Sequence, residues 1–437
     1  MLEDLQRQTF RYFVQEANGE NGLIRDRTAE GSPASITAVG LGLASYVVGV
    51  ERGLISRDEA VERTLTTLRF LWEAPQGRQG DAIGYRGFFY HFLDMETGRR
   101  AMRSELSTID TAFLIIGALV AGLYYERSSE EEAEIRKLAD RLYRRVDWGW
   151  ALNDGATVSH GWLPEEGFLP SRWDAYSEAL ILYVLALGSP THGIPERVYE
   201  AWTSGFEWRS IYGRDYVHAG PLFIHQLSHV WLDLKGVRDG VMREAKMDYF
   251  ENSRLATYVQ QAYAVENPHG FREYGEYTWG ITASAGPGDY RCEVDGRERK
   301  FYGYLARGVP DGPDDGTLSP WAVVASLPFA PEIVLPTIRH YDEAYPQMRH
   351  KYGFRCSFNP TFPTDAPGRA GWVSNGYYGL NQGPIVLMIE NYQTGLIWSL
   401  VKECPHVVRG LLRAGFTGGW LSRADVGRPE NGRGAGV

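Results

Sequence analysis

Hydrophobic and polar residues alternate along most of this chain in patterns typical of α-helices. Some stretches carry their apolar residues on one stripe, whereas residues 35–50 and 108–125 are apolar almost throughout. A helix that is apolar on every side is buried on every side. The pattern predicts thirteen helices, over residues 2–17, 35–50, 57–73, 108–125, 129–146, 175–187, 195–207, 221–234, 240–266, 317–326, 331–345, 379–391 and 393–413.

A buried helix is followed by an amphipathic helix about six times along the chain. Two concentric rings of helices would produce this order, with the inner ring covered on both sides. The sequence therefore predicts an all-α fold, an (α/α)6 barrel. Residues 80–93 could add a β-hairpin at the cleft mouth, and residues 150–170 and 268–313 are predicted to be long loops that carry function.

No change of composition suggests a linker between domains. We expect a single domain over residues 1–437, of which the last ~20 residues form a flexible tail. Hydrophobic residues make up 43% of the chain and charged residues 23%, which excludes disorder as the general state. The chain contains 13 Trp and 26 Tyr residues, which suit sugar binding and equally suit a large core.

The net charge of −10 and the absence of a Lys/Arg block argue against nucleic acid and anionic membranes as partners. The N-terminal sequence MLEDLQRQTFRYF has no hydrophobic signal region, which predicts a cytoplasmic protein, or a periplasmic or secreted one if a leader has been removed. The three cysteines form neither a disulfide framework nor a metal-binding pair. The sequence indicates no metal or cofactor, and it leaves monomer and dimer open.

Two carboxylates stand at the start of apolar helices. Asp110 is three residues after Ser107, so it belongs to a helix-capping box, to the floor of a cleft, or to both. Glu178 is predicted to lie one turn into a helix capped by Asp174, facing apolar residues. Loss of hydration there would raise its pKa, as a general acid requires. The alternative is a glutamate held by the helix dipole.

Other polar groups are candidates for substrate binding. His225, His229 and Asp233 are spaced four residues apart, which could suit a metal, but polar cleft residues or hydrogen-bonded core histidines fit better without a further ligand. Tyr274, Glu276 and Trp279 combine a carboxylate with aromatic faces, as in a sugar subsite or an aromatic-packed loop. Three further polar candidates, which lie before or at the ends of apolar helices, are Asp315, Gln382 and Asn391.

Several segments resemble, in order, those of the bacterial glucoamylase-like family, which contains endo-β-1,2-glucanases and is related to the hydrolase-like part of cyclic β-1,2-glucan synthases. These segments read STIDTAFLIIGAL, YSEALILYVLALGSPTH, PLFIHQLSHVW, DYFENSRLAT, YGEYTWGITAS, DDGTLSPWAVVASLPFAPE and LNQGPIVLMIENYQTGLIW. The resemblance spans residues 4 to 412. It implies an (α/α)6 barrel, with Glu178 as general acid and Asp110 as a catalytic or binding carboxylate. It also places Tyr176, Asn252 and Glu276 among the sugar-binding residues.

Three positions depart from the family pattern. Ala285, Cys356 and Asn381 stand where carboxylates are common in the family. Neither cysteine nor asparagine can replace an ordinary carboxylate base, so the resemblance does not identify the residue that activates water. The remaining carboxylates that could take this role are Asp110, Glu276, Asp289, Asp314 and Asp315.

The resemblance and the two carboxylates together predict an inverting, endo-acting β-glucan hydrolase, most consistent with β-1,2-glucan as substrate and sophorooligosaccharides as products. Inversion requires two carboxyl groups far enough apart to admit a water molecule. Three alternatives remain open: a glucan transglycosylase, a polysaccharide lyase on a similar helical scaffold, and a glucan-binding protein without activity.

Overall fold

A computed structural model describes residues 1–79, 81–365 and 368–423, and this part of the chain is mostly α-helical. Its α-helices are α1 (Leu2–Gln15), α2 (Ile36–Glu51), α3 (Arg57–Glu73), α4 (Thr108–Tyr124), α5 (Glu130–Arg145), α6 (Leu180–Gly188), α7 (Arg197–Thr203), α8 (Gly240–Glu244), α9 (Tyr249–Glu266), α10 (Pro320–Ala325), α11 (Pro331–Ala344), α12 (Gly379–Gln393), α13 (Leu396–Lys402) and α14 (Pro405–Arg413).

Short antiparallel strands connect the helices. They are β1 (Ala34–Ser35), β2 (Gly84–Tyr85), β3 (Phe88–Phe89), β4 (Phe92–Leu93), β5 (Leu106–Ser107), β6 (Gly161–Leu163), β7 (Gly167–Phe168), β8 (Trp208–Ile211), β9 (Arg214–Val217), β10 (Ala283–Ser284), β11 (Tyr290–Val294), β12 (Arg297–Phe301), β13 (Leu305–Ala306), β14 (Arg349–His350), β15 (Gly353–Phe354), β16 (Phe358–Asn359) and β17 (Trp372–Val373). The two-stranded pairs are β1–β4, β2–β3, β8–β9, β10–β13, β11–β12, β14–β15 and β16–β17, and β5–β6–β7 form a three-stranded sheet.

The strands confirm one expectation and correct another. The hairpin predicted within residues 80–93 is β2–β3, apart from Gly80, which lies outside the described residues. The segments 150–170 and 268–313 are not loops throughout, because they contain β6 and β7 and the four strands β10–β13 respectively. These strands are only two to five residues long, so they leave almost no periodic signal in the sequence.

The central helices are buried on all sides. α6 and α10 are buried at every position, and nearly all residues of α2, α4 and α12 are buried as well. α2 packs against both α4 and α12, α4 packs against α6, and α12 packs against α10. The amphipathic helices α1, α3 and α5 pack outside them. The alternation in the sequence therefore corresponds to inner and outer helices.

A glycine contact brings two inner helices unusually close together. A Cβ atom added to Gly117 of α4 would lie 2.1 Å from the carbonyl oxygen of Gly40 in α2. A Cβ atom added to Gly40 would lie 2.3 Å from the carbonyl oxygen of Phe113. Only glycine permits this approach, because any side chain at either position would overlap the facing backbone.

The helix predicted over residues 221–234 is instead two 3-10 helices, Leu222–His225 and Leu227–Val230. The backbone breaks at Gln226, whose side-chain amide donates to the carbonyl oxygen of Ala322 in α10 at 2.6 Å. Two short 3-10 turns place this side chain against α10 while keeping the local backbone hydrogen bonds. Gln226 thus links this segment to the inner helix α10.

Three other predicted helices differ from the observed ones. Residues 240–266 form α8 and α9, because Lys246 has a left-handed backbone conformation (φ 56°) and Asp248 caps a new helix. Residues 393–413 are divided into α13 and α14 at Pro405, which cannot continue a helix from the preceding turn. The helix predicted from residue 175 begins only at Leu180, so Asp174 does not cap it.

The end of the described chain is packed against the protein. Gly419–Arg423 forms a 3-10 helix, and Trp420 Nε1 donates to the carbonyl oxygen of Asp233 at 2.7 Å. The rest of the predicted flexible tail, residues 424–437, lies outside the described residues. All three cysteines are free thiols. Within the described ranges, we find no helix both long and apolar enough to cross a lipid bilayer.

Candidate active site

A cleft of about 490 Å³ opens where the inner helices begin. Residues at or just before the N-termini of α2, α4, α6 and α12 line it, in order Thr37, Asp110, Glu178 and Asn381. The N-terminal end of a helix carries a partial positive charge. The cleft therefore collects several positive helix ends around its carboxylates.

Glu178 lies in the turn immediately before α6, with its side chain partly exposed to the cleft. The Ser228 hydroxyl fixes this turn, because it donates to the carbonyl oxygen of Glu178 at 2.8 Å and accepts from the amide of Ile181 at 3.2 Å. Burial raises the pKa of Glu178 to about 7, and the negative charge of Asp110 raises it further. Glu178 therefore retains its proton in a substantial fraction of molecules near neutral pH.

Asp110 combines both roles expected from the sequence. Ser107 caps α4 by accepting from the Asp110 amide at 3.2 Å, and the Asp110 side chain lines the cleft. Its two carboxylate oxygens accept hydrogen bonds from the hydroxyls of Thr37 and Ser107, both at 2.5 Å. The position of Asp110 is therefore fixed by hydrogen bonds from α2 and from the cap of its own helix.

His91 lies between two carboxylates of the cleft. Its Nδ1 is 3.0 Å from Glu105 Oε1, and its Nε2 is 3.6 Å from Asp110 Oδ2. Burial alone would lower the pKa of His91, but the charge of Asp110 and the hydrogen bond with Glu105 outweigh this effect and raise it to about 9. The imidazole is therefore protonated near neutral pH and forms ion pairs with both carboxylates.

The same three residues have the composition of a metal site. One potential ligand atom from each of His91, Glu105 and Asp110 lies within 4.8 Å of the others. Each ring nitrogen of His91 faces a carboxylate oxygen, so in this structure the three residues form an ion-pair network.

Asp26 is a carboxylate of the cleft that the sequence reasoning missed. Its side chain lines the cleft, and among the described residues we find no hydrogen-bond partner for it. Burial raises the pKa of Asp26 to about 6, against the opposite effects of the charges on His91 and Arg27. Asp26 is the middle residue of the charged triplet that follows the apolar pair Leu23–Ile24 and precedes the buried helix α2. A carboxylate shortly before an apolar helix is the same signal that pointed to Asp110 and Glu178.

Aromatic side chains form much of the remaining cleft wall. His160 stacks on Trp173 with ring centroids 3.8 Å apart, and Trp173 Nε1 donates to the Thr108 hydroxyl at 3.0 Å. Tyr304, which also lines the cleft, is 57% exposed and lies 5.9 Å from the ring of Tyr378. Aromatic rings in a cleft suit the apolar C–H faces of sugar rings.

The three positions that depart from the family pattern are connected by hydrogen bonds, and Asn381 lines the cleft whereas Ala285 and the buried Cys356 do not. Asn381 Nδ2 donates to Cys356 Sγ at 3.1 Å, and the adjacent Ser357 hydroxyl donates to the carbonyl oxygen of Ala285 at 2.5 Å. Burial raises the pKa of the Cys356 thiol, so this group is neutral at physiological pH. The three positions therefore carry neutral groups, of which Asn381 faces the cleft.

The structure does not bring the ten predicted sugar-binding residues into the cleft. Four of them form a buried cluster behind Glu178: Tyr176, His225, His229 and Asn252. His225 and His229 each bond a backbone carbonyl oxygen, of Ala219 and Tyr249 respectively, at 3.1 Å. Burial lowers the pKa of His225 to about 3 and that of His229 to about 4. They are hydrogen-bonded core histidines, and Asp233 instead pairs with Lys402.

The predicted loop subsite around Tyr274 is likewise a structural cluster. The Tyr274 hydroxyl donates to Asp314 at 2.8 Å, and Trp279 is fully buried. Asp315 forms an ion pair with Arg307 at 2.7 Å, with both side chains inaccessible to solvent. Glu276 is exposed and does not line the cleft.

The remaining two of the ten candidates support α12. Gln382 Nε2 donates to the carbonyl oxygen of Tyr352 at 2.6 Å, and Asn391 Nδ2 donates to that of Val230 at 2.9 Å. Both side chains are buried. A polar residue within an apolar run is either buried with a backbone hydrogen-bond partner or faces a cleft. The two cases look alike in the sequence, so the hydrophobic pattern could not distinguish them.

Comparisons with known proteins agree with this architecture. Residues 170–405, more than half of the chain, match the Glycoamylase family model, "Putative glucoamylase". The chain belongs to this glucoamylase family. A crystal structure with the same description, from Bacteroides uniformis, is 32% identical to this family member and covers 96% of this chain and 98% of its own, with a TM-score of 0.83.

Two further relatives of this glucoamylase-family protein carry more specific names. An endo-beta-1,2-glucanase from Chitinophaga pinensis, solved with sophorotriose and glucose, is 29% identical over 95% of this chain and 97% of its own, with a TM-score of 0.81. An exo beta-1,2-glucooligosaccharide sophorohydrolase from Parabacteroides distasonis is 30% identical over 94% of this chain. The chain spans only 57% of the length of that second relative.

Proposed function

We propose that this protein is an inverting, endo-acting hydrolase of β-1,2-glucan that releases sophorooligosaccharides. The observation that carries the proposal is the position of Glu178, which is held at the cleft by Ser228 and is partly protonated near neutral pH. The relatives from Chitinophaga pinensis and Parabacteroides distasonis, whose names refer to β-1,2-linked glucose chains, support the choice of substrate.

We propose further that the fold is an (α/α)6 barrel in a single domain. Five inner positions are α2, α4, α6, α10 and α12, and the two 3-10 helices take the sixth position between α6 and α10. Ser228 connects this sixth position to α6, and Gln226 connects it to α10. These contacts support a closed inner ring with the cleft at one end.

In the proposed reaction, Glu178 donates its proton to the glycosidic oxygen as the bond to the anomeric carbon breaks. A leaving sugar alkoxide is a poor leaving group, so this protonation lowers the barrier. The stacked rings of His160 and Trp173 bind the apolar face of a glucose unit. Water attacks the anomeric carbon from the face opposite the leaving group, which inverts the configuration.

Asp110 supports the acid rather than replacing it. Its negative charge disfavours ionisation of Glu178, and its own oxygens are occupied by the hydroxyls of Thr37 and Ser107. His91 holds Asp110 from the other side. We therefore assign to Asp110 the role of keeping Glu178 protonated.

The test is incubation of the purified protein with linear β-1,2-glucan, with reducing ends measured over time and the first-formed anomer followed by NMR. We expect a mixture of oligosaccharides from the earliest times, with the α-anomer formed first. Release of sophorose alone would contradict endo action, and first formation of the β-anomer would contradict inversion. Binding of glucan without any release of reducing ends, or products absorbing near 235 nm, would overturn hydrolysis.

Glu178→Gln gives the residue-level test. We expect it to lower kcat on β-1,2-glucan by about a hundredfold or more, because the amide cannot donate the proton. The exposed Glu62→Gln on α3 is the matched control, and it should leave kcat unchanged. Wild-type turnover in Glu178→Gln would refute the assignment of the acid.

A further inference from the structure

Four carboxylates of the described residues line the cleft, and they differ in how they are held. Glu105 pairs with His91, and Asp110 accepts from two hydroxyls and faces the same histidine. Glu178 and Asp26 also line the cleft, but no side-chain hydrogen bond to another residue of the described structure holds either carboxyl group. A carboxylate without such a partner has all of its lone pairs available to substrate or water.

The backbone of Asp26 is fixed although its carboxylate is free. Its amide donates to the carbonyl oxygen of Pro33 at 2.8 Å, and its own carbonyl accepts from the amide of Gly379, the first residue of α12, at 2.8 Å. Asp26 is therefore anchored on both sides, between the segment leading into α2 and the start of α12. A group held in this way can face a reacting atom without a large loss of entropy.

The two arginines that flank Asp26 do not neutralise it by hydrogen bonding. Arg25 pairs with Glu16 at 3.3 Å, and Arg27 Nη1 donates to the hydroxyl of Tyr378 at 3.3 Å. The charged groups that act on Asp26 are His91, Asp110 and the adjacent Arg27. The charge of Asp26 in turn raises the pKa values of Tyr12, Tyr304 and Tyr378. The carboxylate thus keeps acceptor capacity for a water molecule.

The surroundings of Asp26 explain why such a group is needed here. Gly379, which holds its backbone, is two residues from Asn381, which lines the cleft and donates to the buried Cys356. Neither this asparagine nor the cysteine behind it is an ordinary base, because both groups are neutral. Asp26 is a cleft carboxylate anchored to the same helix start.

We propose that Asp26 activates the attacking water and is the partner of Glu178 in hydrolysis. This inference rests on the proposed function. Asp26 takes one proton from water while the water oxygen forms a bond to the anomeric carbon. The glycosidic C–O bond breaks in the same step, and the leaving oxygen takes the proton of Glu178. Asp26 then loses its proton to solvent and Glu178 regains one, so that the cycle closes.

The acid–base properties of the two groups support this division of roles. Glu178, with a pKa of about 7, retains its proton more readily than Asp26, with a pKa of about 6. The positive charges of His91 and Arg27 favour the ionised form of Asp26, whereas the negative charge of Asp110 favours the protonated form of Glu178. Two carboxyl groups whose surroundings separate their pKa values are typical of acid and base assignments in glycosidases.

The experiment compares Asp26→Ala, Asp26→Asn and Glu178→Gln, all in the full chain, on β-1,2-glucan and on an aryl β-sophoroside with a good leaving group. We expect both Asp26 variants to lose about a hundredfold or more on both substrates. Glu178→Gln should lose activity on the glucan but keep most of it on the aryl substrate, which needs no proton from an acid. The exposed Asp58→Asn on α3 is the matched control and should behave as wild type.

Sodium azide provides a readout that a structural role would not change. Azide needs no base, so it should restore turnover of the aryl substrate by Asp26→Ala and give the α-glycosyl azide, which has inverted configuration. The variant should also bind sophorooligosaccharides in calorimetry with an affinity within a few-fold of wild type, which excludes misfolding as the cause of lost activity.

The outcomes separate the two proposals. If wild-type protein is inactive on β-1,2-glucan and on the aryl sophoroside, the proposed function fails and the role of Asp26 fails with it. If wild-type protein is active and Asp26→Asn keeps more than about one tenth of that activity, only the role of Asp26 is refuted. Failure of azide to restore Asp26→Ala, with binding intact, also refutes it.

Discussion

Replacing the proposed acid Glu178 by glutamine should stabilise the protein, and the gain should grow with pH. Burial raises the pKa of Glu178 from 4.5 to about 7. The folded state therefore binds this proton more tightly than the unfolded state, so the free energy of unfolding falls as pH rises from about 4.5 and levels off above the folded pKa. A shift of this size corresponds to a cost of about 3 kcal/mol at pH 8 and about 1 kcal/mol at pH 5.

Glutamine has the shape of glutamate and does not ionise, so Glu178→Gln removes this cost. The stability difference between variant and wild type should be about 2.5 kcal/mol larger at pH 8 than at pH 5, and water in the cleft makes this an upper value. With an unfolding entropy proportional to the 437 residues, the difference in Tm should grow by about 3 °C.

Differential scanning fluorimetry at one scan rate and at both pH values measures this effect. Other groups titrate in both proteins, so they largely cancel in the difference between variant and wild type. The exposed Glu62→Gln should show the same small difference at both pH values. If the Tm difference for Glu178→Gln is equal at the two pH values, then Glu178 does not have a raised pKa, and the argument for its role as acid is refuted.

Three further changes test other parts of the structure. The kcat/KM on β-1,2-glucan should fall above about pH 7 as Glu178 ionises. In Asp110→Asn this decrease should occur at lower pH, because the variant lacks the charge that raises the pKa of Glu178. Gly117→Ala should cost about 1–3 kcal/mol of stability, seen as a lower Tm, because the new methyl group overlaps α2. Arg307→Met should cost about 3–5 kcal/mol, also measured as a lower Tm, because it leaves Asp315 buried without its partner.

Matched controls exist for each of these changes. Asp58→Asn should leave the pH profile unchanged, since this carboxylate is exposed on α3. Gly19→Ala should leave the Tm nearly unchanged, because a Cβ atom there meets nothing within 4 Å. Arg339→Met is the control for Arg307→Met and should leave the Tm nearly unchanged, because Arg339 is exposed. An unshifted pH profile in Asp110→Asn, or a Tm within 1 °C of its control for either stability variant, would contradict the corresponding argument.

The helices were predictable wherever the sequence repeats with helical period. The predicted limits of the helices over residues 57–73 and 331–345 agree with α3 and α11 to within one residue. The hydrophobic pattern did not predict where helices are interrupted. These interruptions lie at Lys246, which has a left-handed backbone, at Gln226, and at the turn of Glu178, which is held by Ser228 from another part of the chain. Such interruptions depend on tertiary contacts, which a local pattern does not contain.

The candidate site was predictable only where a carboxylate adjoins a buried helix. Asp110 and Glu178 both line the cleft, as their positions before apolar runs indicated. Asp26 and His91 lie on irregular segments beside two-residue strands, where neither a helical nor a strand period marks the inward side. The buried histidines His225 and His229 were predicted to face the cleft but lie in the core. A polar residue within an apolar run is as often buried with a hydrogen-bond partner as exposed to a cleft.

The contact between Gly40 and Gly117 constrains how this cleft can change during evolution. Each glycine lies on the same helix as one member of the Thr37–Asp110 hydrogen bond. Any larger residue at the crossing would separate α2 from α4 and pull that bond apart. The distance between α2 and α4 at the cleft floor is thus set by a backbone contact in which no side chain takes part. Under the proposed function, we expect adaptation to longer, shorter or differently linked glycans to come from the strands and loops at the rim, while the floor stays the same.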